Sequence, residues 1–330
     1  MRFVTVAVRV VLPLAVAALG LVACGGETAS GGKDVFVTGS STVEPISIRV
    51  GELALEQTSG RLQVAVEGPG TGDGFKKVCA GEADVSGASR RVKDAELELC
   101  AASGVELLEL EVAVDGLTVA TSPENTEVDC LDVPALYALL GPESEQLERW
   151  SDANELAAEL GSTSIPFPDE RLSIFGPGEE SGTYDAFVDF AIADLAEARG
   201  AEEFTRADYS SSGNDNFTID GIEGSDSSLG WIGFAFYEAE AARMKAIAID
   251  AGDGCVAPTV EAIADGSYPF SRSLYIYVNL DRASTNPAVA EFIDLYLSEE
   301  GLALVRPAGY VDLPAERVES TREVWSSWRD

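Results

Sequence analysis

Short apolar runs alternate along this chain with longer stretches in which apolar positions recur every three or four residues. The first pattern marks buried strands and the second amphipathic helices. Val35, Phe36 and Val37 open the series as a strand and lead into a helix over 44–57. A strand at 62–66 leads into a helix at 74–80, and a strand at 83–86 into a helix at 95–101. This alternation predicts a mostly parallel sheet covered by helices, hence an α/β fold. The apolar stretch 105–121 is interrupted at Asp115-Gly116 and reads as strand, kink, strand. Further helices are expected at 133–140, 184–198, 287–297 and 317–325, and further strands at 172–175, 246–249 and 274–278.

The two long β runs, near residues 113 and 274, suit crossovers between two α/β lobes. The first lobe would then comprise 34–112 and 273–330, and the second 113–272. Trp231, Phe234, Phe236 and Tyr237 are expected in strand–helix packing, and Trp325 and Trp328 are expected to pin the last helix to the first lobe.

Ahead of the fold, Arg2 and Arg9 accompany an apolar run from Val10 to Ala23, too short to span a bilayer but suited to a signal peptide over 1–23. It ends in Leu21-Val22-Ala23-Cys24 with two glycines after it, which resembles the lipobox of bacterial lipoproteins. Cys24 is then expected to carry the lipid, and 24–33 to form a tether. An ordinary signal peptide with a chance Cys is the alternative.

Charge narrows the function classes. The 330 residues hold 57 Asp+Glu against 22 Lys+Arg and no His, a formal net charge of −35. Cleavage before Cys24 would remove two Arg and leave −37. Such a surface repels phosphate backbones and anionic headgroups, which excludes nucleic acid and leaves a lipid anchor as the only membrane contact. Lack of His excludes a Ser-His-Asp triad and an HExxH zinc site. Beyond Cys24 there are four cysteines, an even number in an exported chain, so disulfides are expected. Three pairings are open. Cys79–Cys100 with Cys130–Cys255 is preferred, since the first two bracket a short helix-strand-helix stretch. No metal and no cofactor are expected, there being no CxxC.

The chemistry lies in a repeated local design. Three times a strand runs into a Gly/Ser/Thr cluster that opens a helix: Gly39-Ser40-Ser41-Thr42, Gly68-Pro69-Gly70-Thr71-Gly72, and Gly178-Glu179-Glu180-Ser181-Gly182-Thr183. Each offers unpaired N–H groups, hydroxyls and the positive end of a helix dipole. Any one alone is an ordinary N-cap; three together suit a small oxyanion. The spacing matches neither a P-loop nor a clean GxGxxG. A fourth junction, Ala88-Ser89-Arg90-Arg91, adds charge, and an Arg fork matches a tetrahedral oxyanion well. Arg90 is expected at the ligand and Arg91 in solvent.

These residues resemble a known family. Gly39-Ser40-Ser41-Thr42-Val43-Glu44-Pro45, Gly70-Thr71-Gly72-Asp73-Gly74-Phe75-Lys76, Ala88-Ser89-Arg90, Asp115-Gly116-Leu117 and Gly176-Pro177-Gly178-Glu179-Glu180-Ser181-Gly182-Thr183 are similar to motifs of the phosphate-binding proteins of bacterial phosphate ABC transporters (PstS). Cys79-Ala80-Gly81-Glu82 resembles the SphX-like branch. The resemblance covers about 34–312. It implies a type II periplasmic-binding-protein fold, two α/β lobes closing on one phosphate. It places Ser41, Thr42 and Thr71 on the first lobe and Ser181, Gly182 and Thr183 on the second. It also implies delivery to membrane ABC permease subunits, a monomer, and no enzymatic activity.

Two departures are linked. Where the family has an Arg four residues before Ser-Gly-Thr, this chain has Pro177; where it has an Asp after Ala-Ser, this chain has Arg90. Arg90 is therefore expected to supply the guanidinium. Asp115, with Asp73 as runner-up, is expected to accept the proton that distinguishes hydrogen phosphate from sulfate. The alternatives are a receptor for sulfate, tungstate, molybdate or phosphonate and, in another class, a secreted hydrolase using Ser or paired carboxylates.

Overall fold

The computed structural model describes residues 34–329, so the expected signal peptide, Cys24 and the expected tether lie outside the described residues. In chain order, strand β1 (Val35–Gly39) is followed by helix α1 (Glu44–Gln57), β2 (Val64–Val66), α2 (Thr71–Cys79), β3 (Val85–Ala88) and α3 (Asp94–Ala102). Strand β4 (Leu107–Thr121) leads to β5 (Cys130–Asp132), α4 (Val133–Leu140), α5 (Asn154–Glu159), β6 (Ser173–Gly176), α6 (Gly182–Phe187) and α7 (Ala193–Arg199). Then come β7 (Ser210–Ser211), α8 (Asp215–Glu223), β8 (Ser228–Gly233), α9 (Phe234–Ala239), β9 (Lys245–Ala246), β10 (Ala248–Asp250), β11 (Cys255–Val256) and α10 (Val260–Asp265). The last elements are β12 (Ser271–Asn279), α11 (Leu280–Thr285), α12 (Pro287–Tyr296), α13 (Glu299–Leu302) and α14 (Ala315–Arg329).

Helix α1 shows why these segments form where they do. Pro45 sits in its first turn, where the missing N–H costs nothing, and Ile46, Val50 and Ala54 fall on one buried face. Burying one such Ile or Val contributes about 1.5–3 kcal/mol.

The main sheet has the order β2-β1-β3-β12-β4-β8-β6-β7, with β9 also on β4; β11-β10-β5 form a small second sheet. Strands β1, β2 and β3 are parallel, and β12 runs antiparallel to β3 and β4. Strand β4 joins the two halves: residues 107–116 pair with β12, and Leu117 onward pairs with β8 and β9. The kink expected at Asp115-Gly116 is absent. Strand β4 runs unbroken for 15 residues, because Arg272 and Ser271 continue the ladder opposite Asp115 and Gly116. What changes at this point is the partner strand.

Two apolar cores meet at that change. Ala113 and Leu274 pack in the first with Ile46 and Phe292, whereas Val114 and Phe270 pack in the second with Leu136 and Trp231. Val311 and Leu313 return to the second core. Trp325 is buried in the first core and donates its Nε1–H to Asp294 at 2.7 Å, with Trp328 stacked on it. Trp231 is fully buried and stacks on Phe187, whereas Phe236 stays partly exposed at the surface. Both disulfides form in the expected pairing: Cys79–Cys100 joins α2 to α3, and Cys130–Cys255 joins β5 to β11. No helix among the described residues is long and apolar enough to cross a membrane.

Candidate functional site

The junctions gather at the carboxyl ends of the parallel strands, where ligands bind in open α/β sheets. Gly39 closes β1 at φ +122°, and a Cβ there would lie 2.2 Å from the Gly87 carbonyl oxygen, so only glycine lets β1 and β3 end so close together. Behind it, the Ser40 hydroxyl oxygen accepts the Thr42 N–H at 3.1 Å and tightens the turn. The Ser41 hydroxyl then donates to Asp185 Oδ2 at 2.8 Å, and Oγ1 of the buried Thr42 accepts from Arg272. At the second junction Gly70, at φ +108°, precedes α2, and Thr71 Oγ1 accepts the Ser89 N–H at 3.2 Å. At the third, Ser181 caps α6 by accepting the Thr183 N–H at 3.2 Å.

First and third junctions touch. A Cβ on Gly182 would sit 3.0 Å from Thr42 Cα and 3.1 Å from its N, so the two halves of the molecule meet here backbone to backbone. Beside this contact lies a cavity of about 570 Å³. Ser41, Thr42, Thr71 and Arg90 line it from one half, Asp185 and Asp189 from the other, and Arg272 lines it as well.

Arg272 spans the site. Its Nε donates to Asp115 Oδ2 at 3.2 Å, its Nη1 to Asp189 Oδ2 at 2.7 Å, and its Nη2 to Thr42 Oγ1 at 3.2 Å. The guanidinium lies 5.3 Å from the Phe190 ring centre. Asp115 is buried, and burial pushes its carboxyl above the ordinary value although Arg272 opposes the rise. Its Oδ1 takes no hydrogen bond among the described residues.

Arg90 borders the cavity with its fork already filled. Glu96 accepts from Nη1 at 2.9 Å and from Nη2 at 2.8 Å, and the guanidinium lies over Phe75. Glu96 is drawn there by α3, at whose start it also accepts the Lys93 N–H at 2.8 Å. The bridging guanidinium is thus that of Arg272, which sequence reasoning passed over. Its only signal was a basic residue at the start of the second long β run. Asp115 meets the cavity through Arg272 rather than lining it. Asp73 turns away and pairs with Lys76 at 2.8 Å in solvent. Gly182 adjoins Thr42, but Ser181, Gly182 and Thr183 do not line the cavity. Asp185 and Asp189, also unanticipated, belong to a rod in which the π turn Val188–Ile192 joins α6 to α7. Among the described residues no cluster of carboxylates or thiols is placed to hold a metal ion.

The profile of the PBP superfamily domain matches residues 26–300. The chain is 37% identical over 313 residues to protein SphX of Synechocystis sp., covering 93% of this chain and 86% of that one. It is 31% identical over 312 residues to the phosphate-binding protein PstS of Staphylococcus aureus, covering 92% and 87%. Among solved structures, a possible phosphate binding protein from Planctomyces limnophilus superposes with a TM-score of 0.79 at 35% identity, covering 90% of this chain and 98% of that one. An ABC-type phosphate transport receptor from Vibrio cholerae shares the fold at a TM-score of 0.59 and 21% identity, covering 85% and 100%. The two halves described above are the lobes of a type II periplasmic-binding-protein fold, and within the PBP superfamily this chain belongs to the family that contains SphX and PstS.

Proposed function

We propose that this chain is an extracytoplasmic solute-binding protein that takes inorganic phosphate into the cleft between its lobes and hands it to the membrane subunits of an ABC permease. One observation carries the reading: the Arg272 fork and the Ser41, Thr42 and Thr71 hydroxyls converge on one cavity at the lobe boundary. The chain performs no turnover; the Ser181 hydroxyl, the one serine beside paired glutamates, is engaged as a helix cap.

In this reading the ligand is held by short-range donors, since the charge of −35 repels an anion at long range. Arg272 supplies the charge-assisted hydrogen bonds, with Arg90 close by. The Ser181-Gly182-Thr183 end of α6 completes the site from the second lobe once the ligand enters. Asp115 lies behind Arg272, outside the cavity lining, so it accepts the proton of hydrogen phosphate only once the ligand draws the guanidinium aside; sulfate has no proton to give. The first lobe comprises 34–112 and 273–330 and the second 113–272; the change of core one residue on, between Ala113 and Val114, supports the first boundary, while Val311 and Leu313 pack across onto the second core. Cys24 carries the lipid that holds a monomer at the outer face of the cytoplasmic membrane or in the periplasm.

Calorimetric titration of the mature protein with phosphate, sulfate, molybdate and tungstate tests the reading. Tight binding of phosphate alone is expected. No phosphate binding removes the assignment, and equal affinity for sulfate removes the role of Asp115. Preference for another oxyanion would make this a receptor for that ligand with the same cavity.

A further inference from the structure

Three cations line the cavity, Arg90, Lys93 and Arg272, against four carboxylates that include Asp194 and Glu203. Two of the cations are already matched: Arg90 pairs with Glu96, and Arg272 with Asp115 and Asp189. Lys93 takes no carboxylate among the described residues, and its only hydrogen bond is made by its backbone N–H. The other described lysines are each paired, Lys76 with Asp73, Lys77 with Glu67 and Lys245 with Asp129. In a chain with 57 acidic residues, an ammonium left unmatched at the cavity where the glycine-rich junctions gather is a distinctive placement.

The backbone that carries Lys93 is held on both sides. Just before it, the Val92 N–H donates to the Tyr277 hydroxyl at 2.9 Å, and its own N–H donates to Glu96 Oε2 at 2.8 Å. Glu96 thus fixes Lys93 by its main chain and fills the fork of Arg90, while Lys93 itself stays exposed to water. Lys93, Thr71 and Thr42 all belong to the half of the molecule built on β1, β2 and β3. Their spacing is therefore the same whatever the separation of the lobes.

An exposed ammonium acts over about one Debye length, about 8 Å at physiological salt. Within that reach it opposes the repulsion from the four cavity carboxylates; a unit charge met at about 4 Å in water raises the local concentration of an anion about fivefold. We propose that Lys93 is the capture residue of the cleft: its unmatched charge draws the oxyanion from solvent ahead of Arg272 and the hydroxyls, and it sets the rate of association rather than the lifetime of the complex. This rests on the oxyanion-cleft reading above and deepens it. Arg90 does not serve, because Glu96 neutralises it, and Arg272 lies deeper, its side chain only 13% exposed.

The test compares the mature wild-type protein with Lys93→Gln, using radiolabelled phosphate and sulfate as probes. Calorimetry gives the affinity, chase of the labelled anion gives the dissociation rate, and the two together give the association rate. Lys93→Gln is expected to associate at least about fivefold more slowly at low salt, with dissociation unchanged and the gap closing toward about 0.5 M salt. Lys93→Arg, which keeps the charge, should match wild type. Lys76→Gln, which removes the same charge outside the cavity, should associate at the wild-type rate. An unchanged association rate in Lys93→Gln, an equal loss in Lys76→Gln, or a loss that salt does not diminish overturns the proposal. Sulfate bound in place of phosphate, with the same slowing in Lys93→Gln, removes the phosphate assignment and upholds the capture role. Failure of wild type to bind either anion overturns both.

Discussion

Arg272 on β12 and Asp115 on β4 are direct ladder partners, and their side chains meet at 3.2 Å where the two crossover strands pass from one lobe to the other. In the function proposed above, the pair would tie ligand recognition to the hinge. Arg272→Ala is expected to lower phosphate affinity at least 100-fold, equivalent to about 2.7 kcal/mol, by calorimetry. It should also destabilise the protein by about 3 kcal/mol in urea, because a buried carboxylate loses its cation. Adding Asp115→Ala should recover stability and not binding. Arg90→Ala, whose guanidinium serves Glu96, should cost affinity less.

Asp115 also makes stability depend on pH. Its folded-state value is raised above the ordinary 3.8 by burial, so the native state holds the proton better than the unfolded chain does. That contribution is full below about pH 4 and is lost as pH rises through the folded value. Melting curves in phosphate-free buffer should therefore show wild type losing ground to Asp115→Asn as pH rises above about 4. A constant difference would show that Arg272 cancels the effect of burial.

Gly182 tests the contact between lobes. In Gly182→Ala the new Cβ would lie 3.0 Å from Thr42 Cα, with backbone rather than a flexible side chain in its way. Closure should suffer while each lobe folds normally. Phosphate affinity is expected to fall about tenfold, or 1.4 kcal/mol, with the melting temperature of the empty protein nearly unchanged. A large drop in that temperature would instead place the strain inside the fold.

The disulfides should contribute unequally. Cys130–Cys255 spans 125 residues of sequence and Cys79–Cys100 spans 21. The chain-entropy estimate is about 5 kcal/mol for the longer loop and about 3 kcal/mol for the shorter. Urea unfolding of the two double-Ser variants should follow that order. The reverse order would indicate residual structure in the unfolded chain around β5 and β11.

Local features were the most legible in the sequence. Helices α1 and α4 appear with the bounds that their apolar spacing predicts. The glycine-rich junctions and both disulfides also appear where expected. Arg272 was not legible because its importance comes from register. Nothing within ten residues of it reveals that Asp115, 157 positions away, stands opposite. Arg90 lines the cavity, and what the sequence did not show is that Glu96, one helical turn into α3, accepts from both of its Nη groups. Asp185 and Asp189 were hidden in a helix read for its apolar face, and the π turn that carries Asp189 leaves no plain mark in composition. The apparent break at Asp115-Gly116 was a real signal given the wrong meaning.

That unbroken strand carries one more consequence. Strand β4 places Ala113 in one core and Val114 in the other, so each core has a wall built on the same stretch of backbone. Neither lobe can melt without fraying a strand that the other requires. Although the molecule is divided by a cleft, heat should unfold it in a single cooperative step, one calorimetric peak whose van't Hoff and measured enthalpies agree. Two resolved peaks would mean that β4 can be released from one side alone.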